Sequence, residues 1–584
     1  MRSAGLLALN LQALRRIRTS ANPMQTRNNS ATGLVSGPST GHGAWLHWGK
    51  EKLRQLAVPQ AGLSRWAIVS LVLVLLAVIS YLVTVGKLAV NFPYWDDYYA
   101  VLDSLAKVRD TDCLSGRVNA LVAQHNEHRL VLLRLLVLSC RALEGQVDFR
   151  TLVWIGNLGL LSLTAILVAG ANQSARWPAV LALLPLALLS PIQDKQMLWA
   201  MASISNFWVL AFAAAALLLL TRSSRLGFGF ACALAFLATF TSGQGLLCFP
   251  AGIILLLFYR QWRRVAFWFG TMAVAIGCYL YGYVRPEHHP LPEISWTTLQ
   301  FFPVAAGGAL SELLCRCLTP VLPDPRWQAA LFPTLQFLVG LLVVGLTGWL
   351  WFQRYYRRNP FLNIFMLYLL LLCATASISR GAFGLQQALI PHYRVISVCL
   401  TTLAVIGWLD WRYRHHPTAC PQPAICAAGF AFCALAWALG YSSVRAFSIE
   451  QTEARRLFLQ EQDARGFVRL PFREQAVDIL WRSYLTGSLP FRDLETGGGP
   501  HLSVERLNRL AVRGADDLKL AGAANRVAAG LCWRGDELIV LVGRPLPPET
   551  RAAGWLLVRG NALEYVLPRN ERELAHAPGG QLCP

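Results

Sequence analysis

The chain has 584 residues, enough for several soluble domains, but 55% of them are apolar and only 15% are charged. The apolar residues gather in runs of about 17–25, the length that crosses a hydrocarbon core of about 30 Å, which excludes a wholly soluble protein. The formal charge of +21 does not point to nucleic acid. Lys and Arg sit mostly at the ends of the apolar runs, as topology anchors do, and not on one face with stacking aromatics.

Residues 1–65 hold no apolar core of secretory-signal length and read as a basic cytoplasmic tail. Leu6, Leu7, Leu11, Leu14 and Ile17 with Arg15, Arg16 and Arg18 would also suit a short amphipathic helix, but a disordered tail, or a start at Met24, is the simpler expectation. The first span is expected from Trp66 to Val85. It follows nine basic residues opposed only by Glu51, so the N-terminus should be cytoplasmic. Further spans are expected over 150–171, 177–193, 198–220, 226–241, 245–259, 264–284, 329–352, 361–378, 395–411 and 424–441.

Two apolar stretches are excluded from that set. Residues 130–143 are short and carry Arg134 and Arg141, which suits an interfacial helix. Residues 300–319 carry Glu312 and Arg316 and contain Pro303. Counting them as a span would export Arg354, Arg357, Arg358, Arg412 and Arg414, against the charge rule, so an interfacial or re-entrant helix on the outer side is expected. The fold class is therefore an α-helical polytopic membrane protein of about eleven spans over 66–443, with a long first outer loop, 87–149. An odd number of crossings puts residues 444–584 outside as a small α/β domain. Strands are expected there at Glu537–Val542 and Trp555–Leu567, the latter folding at Arg559-Gly560-Asn561. Cys532 and Cys583 are the two cysteines of that domain, and an oxidising compartment would let them pair.

The polar residues of interest then fall on the outer side. Asp96 and Asp97 follow Tyr94-Trp95, and adjacent carboxylates at a membrane surface are costly unless solvated, paired or metal-bound. Each can perturb the other's pKa, which suits one of them to general-base work, although an aromatic belt with incidental acids is the plainer alternative. His125, Glu127, His128 and Arg129 lie further along the same loop. On a helix His125, His128 and Arg129 would share a face able to meet an ion or an anionic substrate, or they would simply form a solvated helix start. Arg380 and Arg394 flank a short outer loop and are shaped to hold a phosphate, the alternative being headgroup anchors. Asp194-Lys195, Arg285 with Glu287-His288-His289, and His392-Tyr393 are further outer-side candidates. Thr241-Ser242-Gly243-Gln244-Gly245 lacks the lysine of a phosphate loop and reads as a tight turn between two spans.

An acidic pair just beyond the first span, a long first outer loop with interfacial helices, about eleven spans and an exported C-terminal domain together resemble the GT-C glycosyltransferase superfamily. The resemblance covers the membrane region in layout and only Asp96-Asp97 by motif; the Trp-Trp-Asp signature of oligosaccharyltransferases is missing. It implies a bacterial inner-membrane enzyme moving a sugar from a polyprenyl-phosphate donor to an extracytoplasmic acceptor. Asp96 or Asp97 would be the general base or would hold a divalent cation (Mg or Mn) with His128 as a further candidate ligand. His125, Glu127, His128 and Arg129 would line the cavity, and Arg380 or Arg394 would neutralise the departing lipid phosphate. The competing expectations are a transporter or flippase of a lipid-linked or anionic substrate, and an O-antigen polymerase or ligase. The lipid bilayer is the expected partner in every case.

Overall fold

The structure is a computed structural model that describes residues 64–489, apart from 173–176, 223, 287–290, 292–293, 416–420, 459–474, 478, 481–482 and 484–487, together with the backbone of four strands after residue 527. The basic tail, Glu287-His288-His289 and the side chains of Cys532 and Cys583 lie outside the described residues.

Among the described residues the α-helices of nine or more residues are α1 (Arg65–Leu88), α2 (Leu114–Val122), α3 (Val131–Glu144), α4 (Phe149–Ala171), α5 (Pro178–Leu188), α6 (Ala200–Leu220), α7 (Arg225–Thr241), α8 (Cys248–Phe258), α9 (Trp262–Leu280), α10 (Trp296–Leu318), α11 (Pro325–Phe352), α12 (Pro360–Arg380), α13 (Pro391–His415) and α14 (Gln422–Arg456). Among the described residues eight of them, α1, α4, α6, α10, α11, α12, α13 and α14, are long and apolar enough to cross a membrane, while α5, α7 and α8 are shorter apolar helices. The described residues thus form a helical bundle with eight helices that could span a membrane. The stretches expected as spans at 177–193 and 245–259 form helices of only 11 residues each.

Helix α1 shows how the bundle meets its solvent. Ser64 caps it by accepting from the Ala67 amide at 3.2 Å. Ser70, Ala77, Tyr81, Thr84 and Val85 form its buried stripe, whereas Ile68, Leu71, Val72, Leu75, Leu76 and Ile79 stay exposed, which is tolerable only where the surroundings are hydrocarbon. Inside the bundle α6 is the most enclosed of the eight long apolar helices. A buried polar chain ties α1 to α4 and to the segment before α6. The Tyr81 hydroxyl donates to Asn157 Oδ1 at 2.5 Å, and Asn157 Nδ2 donates to the Val153 and Met197 carbonyls.

That segment, Pro191–Leu198, is a distorted 3₁₀ stretch in which Asp194 takes φ 52°. Irregular backbone at this depth persists only where protein surrounds it. Here Pro191 to Asp194 and Gln196 to Leu198 are all buried.

The bundle has two chemically different ends. At one, Arg264 donates to the Arg222 and Ser224 carbonyls, Phe258 meets Tyr356, and Asn359 Nδ2 donates to the Gly170 carbonyl. Arg358 grips the buried Asp410 with Nε and Nη2, and Arg414 approaches it at 3.6 Å. Arg222, Arg225, Arg260, Arg263, Arg354 and Arg357 lie in the same turns. The other end carries the 94–99 loop, residues 124–129, Gly243, the start of α6, the end of α12 and the start of α13, which touch one another as described below.

Helix α10 runs unbroken through Pro303. Its face packs closely on α11, because a Cβ at Gly340 would sit 1.9 Å from the Pro303 carbonyl oxygen and one at Gly307 would sit 2.6 Å from Gly340 Cα. Small residues at a crossing let two backbones approach in this way. The first turn of α10 accepts from Ser377 at the Thr298 carbonyl, and Glu312 near its other end pairs with Arg394 in the first turn of α13. Glu312 and Arg316, the charges that argue against a span, pair with each other at 2.7 Å.

After residue 527 the backbones of Ala528–Arg534 (β1), Glu537–Gly543 (β2), Trp555–Arg559 (β3) and Ala562–Val566 (β4) pair as an antiparallel sheet in the order β1-β2-β3-β4.

Candidate functional site

The loop after α1 turns sharply at Trp95, whose φ is 49°, and enters a π-helical turn, Tyr98–Asp103. This folding sends the two adjacent carboxylates to different surroundings. Asp97 is 1% exposed. Its Oδ2 accepts from the Tyr94 amide at 3.0 Å and its Oδ1 from the Met201 amide at 2.9 Å, in the first turn of α6. Asp97 is therefore a cap supplied from another part of the chain, using amides that a helix start leaves unpaired and a dipole that favours negative charge. Burial pushes its carboxyl up to about 7, against the opposing pull of the two amides.

Asp96 is only partly buried, and its carboxylate accepts no hydrogen bond among the described residues. Glu127 and Arg380 lie near enough to act on its charge. Burial pushes the Asp96 carboxyl up to about 6, Glu127 adds to the rise, and Arg380 works against it.

Residues 125–128 form a tight turn, not the helical face expected from their spacing. His125 and His128 exchange both backbone hydrogen bonds, at 2.8 and 2.9 Å, and Asn126 takes φ 48°, which asparagine tolerates better than most residues. The turn is held from α9 and the residues after it. Gln124 accepts from the Val284 amide at 3.0 Å, and the Tyr279 hydroxyl donates to the Glu127 carbonyl at 2.6 Å. Arg129 is 6% exposed, and its guanidinium donates to the carbonyls of Tyr279, Tyr281 and Val122. Those bonds close the C-terminal ends of α9 and α2 and make Arg129 a brace for the turn. Burial holds the His125 imidazole down at about 4, with Arg134 adding to the fall and Glu127 opposing it.

The turn delivers Glu127 and His128 to the end of α12. Glu127 Oε1 is ion-paired with Arg380 Nη2 and lies 3.5 Å from His128 Nε2. His128 Nδ1 accepts from the Gly243 amide at 3.3 Å, and burial lowers the pKa of the ring. The Thr241–Gly245 turn that the sequence marks as tight is what allows this. A Cβ at Gly243 would lie 2.4 Å from the Tyr279 hydroxyl and 3.1 Å from His128 Nδ1. His392 joins from the first turn of α13, its ring 5.0 Å from that of Trp199 and its Nδ1 3.2 Å from Asn206 Nδ2. His128, Arg380 and Glu127 all act on it electrostatically.

Arg394 is held elsewhere. It is 8% exposed, pairing with both Glu312 oxygens at 2.7 and 2.6 Å and with Asp194 Oδ2 at 3.2 Å. Arg316 donates to Glu312 and to the Leu439 carbonyl, and Ser443 donates to Asp194 Oδ1 at 2.7 Å. Two acids and two arginines thus form a balanced knot tying α10, α13 and α14 to the Pro191–Leu198 segment. Lys195 stays outside the knot, over the rings of Tyr94 and Phe447.

The structure brings together Asp96, Glu127, His128 and Arg380, and adds His392, Tyr279 and Gly243. It places Asp97 and Arg129 beside them as supports and Arg394 in a separate network. Among the described residues no group of three or more His, Cys, Asp or Glu is arranged to hold a metal ion. Asp96, Asp97 and His128 are therefore not brought together as a ligand set. His392 was among the sequence candidates without a role, and the signal for it was only its adjacency to Arg394. No family model, curated protein or solved structure matches the chain.

Proposed function

We propose that the chain is an integral-membrane glycosyltransferase of the GT-C kind, moving a sugar from a polyprenyl-phosphate-linked donor to an acceptor outside the cytoplasm. The observation that carries this reading is the Asp96 carboxylate, free of hydrogen-bond partners among the described residues, beside Arg380, Glu127 and His128. These groups lie at the end of the bundle away from the arginine-rich turns.

Sidedness supports it. Positive charge concentrates on cytoplasmic loops, which makes the arginine-rich end the cytoplasmic one and the Asp96 end the exported one. The reading keeps about eleven crossings. It requires α5, α7, α8 and α9 to run between the ends with the long helices, and α10, tied to Ser377 and Arg394, to lie on the Asp96 side.

In the reaction an acceptor hydroxyl approaches the anomeric carbon and Asp96 takes its proton. A bond forms between that oxygen and the anomeric carbon as the bond from carbon to the phosphate oxygen breaks. The electron pair leaves on the polyprenyl phosphate. Arg380, oriented by Glu127, neutralises the charge that builds there. Arg129 and Arg394 play no part in this step, because carbonyls and carboxylates hold them.

The test separates the two aspartates. Asp96→Asn in purified, correctly inserted protein is expected to lower sugar transfer from a polyprenyl-phosphate donor about 10²–10⁴-fold. Its melting temperature should stay near that of the parent. Asp97→Asn instead replaces one of two acceptor oxygens with a donor, and is expected to cost about 1–3 kcal/mol of stability. Full transfer by the Asp96→Asn protein would remove the base and the reading with it.

A further inference from the structure

Two histidines of the site have their ring protons fixed by groups of known donor character. A backbone amide can only donate, so His128 Nδ1, 3.3 Å from the Gly243 amide, must be an acceptor. The Asn206 side chain gives the same answer for His392. Its Nδ2 lies 3.0 Å from the Ala202 carbonyl, which only accepts, so that end of the amide is the NH₂ group. The same nitrogen lies 3.2 Å from His392 Nδ1, which therefore accepts as well. A neutral imidazole whose Nδ1 accepts carries its hydrogen on Nε2. Adding a second proton at Nδ1 would set N–H against N–H in both places.

We propose that His128 and His392 are a pair of neutral imidazoles, locked with the hydrogen on Nε2, that donate to the phosphate oxygens of a lipid-linked substrate beside Arg380. This rests on the glycosyltransferase reading and names what that site recognises. The charged and titratable groups around the pair agree with the neutral state. Burial favours the neutral form of His128, Arg380 adds to this and Glu127 opposes it, while burial also holds His125 neutral. His128 Nε2 lies 3.5 Å from Glu127 Oε1, the oxygen that holds Arg380, which places the ring beside the guanidinium. No group among the described residues accepts from Nε2 of His392, and its ring is only partly buried. Neutral donors suit the proposed chemistry. A fixed N–H strengthens its bond as charge grows on the departing phosphate, and a neutral imidazole can act as such an electrophile without tightening ground-state binding as a cation would.

The experiment uses the full chain in lipid nanodiscs, labelled with ¹⁵N-histidine, the two rings being assigned from His128→Gln and His392→Gln proteins. Both rings are expected to show a bare Nδ1 and a protonated Nε2 from pH 8 to pH 5. A polyprenyl phosphate should then shift both Nε2–H resonances, whereas the corresponding polyprenol and inorganic phosphate at equal concentration should not. A ring protonated on Nδ1, or charged at pH 6, overturns the donor assignment whatever the protein transfers. Expected tautomers with no response to polyprenyl phosphate overturn the substrate class, and the glycosyltransferase reading falls too. A response to inorganic phosphate as large as that to the lipid overturns the lipid-linked substrate. As an activity check, His392→Gln keeps a donor near the Nε2 position and should hold transfer within about 10-fold, while His392→Ala should lose about 10²-fold or more.

Discussion

Adjacent in sequence, Asp96 and Asp97 differ in which backbone amides reach them. The Trp95 turn points one carboxylate at the start of α6 and leaves the other facing Glu127 and Arg380. A prediction follows for pH. Asp96 must be ionised to accept a proton, so transfer should fall as pH drops through about 6, not through the ordinary carboxylate range near 4. In Glu127→Gln the like charge is gone and Arg380 is no longer neutralised by it. Both changes favour ionised Asp96, so the acid limb of kcat/KM should move to lower pH, even where the maximum rate falls. A limb that stays put or moves up would show that Asp96 does not set it. Sequence made the acidic pair visible because two adjacent acids beside a membrane are costly. It was silent on which of the two is occupied, since that depends on Met201, 104 residues away along the chain.

At the scale of elements, spacing misled in one loop, and charges in a helix drew partners that the local sequence does not show. His125, His128 and Arg129 fit a helical face by periodicity, but Asn126 in a left-handed conformation closes the turn, and the carbonyls at the end of α9 claim Arg129. Nothing local in residues 124–129 announces those carbonyls, which lie about 150 positions later in the chain. For α10 the partners are again distant in sequence. Glu312 and Arg316 argue against a span over 300–319, yet α10 is long and apolar enough to be one, because the structure supplies the partners, Arg394 and Asp194, that make the charges tolerable. Packing of α10 on α11 depends on missing side chains. Gly340→Ala places a Cβ against the Pro303 carbonyl and should destabilise the protein by about 1–3 kcal/mol, read as a lower melting temperature in detergent. Gly345→Ala, one and a half turns on, meets nothing within 4 Å and should melt like the parent. Equal behaviour of the two variants would mean that the helices do not approach at this crossing.

For the whole molecule the decisive quantity is which end faces which compartment. Apolar runs alone predicted a polytopic bundle, and the position of arginines along the chain divided its turns into two sets. The structure joins the turns containing Arg222, Arg264, Tyr356, Arg358 and Asp410 at one end, and residues near 96, 128, 243, 380 and 392 at the other. Charge placement then orients the bundle, because translocating a loop rich in arginine is disfavoured. The prediction is a labelling pattern in a cysteine-free, functional background. Ser115→Cys and Gln386→Cys, both exposed at the Asp96 end, should react with a membrane-impermeant maleimide applied outside intact cells. Arg263→Cys and Gln353→Cys, exposed at the other end, should react only after the membrane is opened. If positions 115 and 386 label from different faces, the site is not assembled on one side of the bilayer. If both label only after the membrane is opened, the orientation is reversed, and a donor on the cytoplasmic face, such as a sugar nucleotide, becomes the substrate to test.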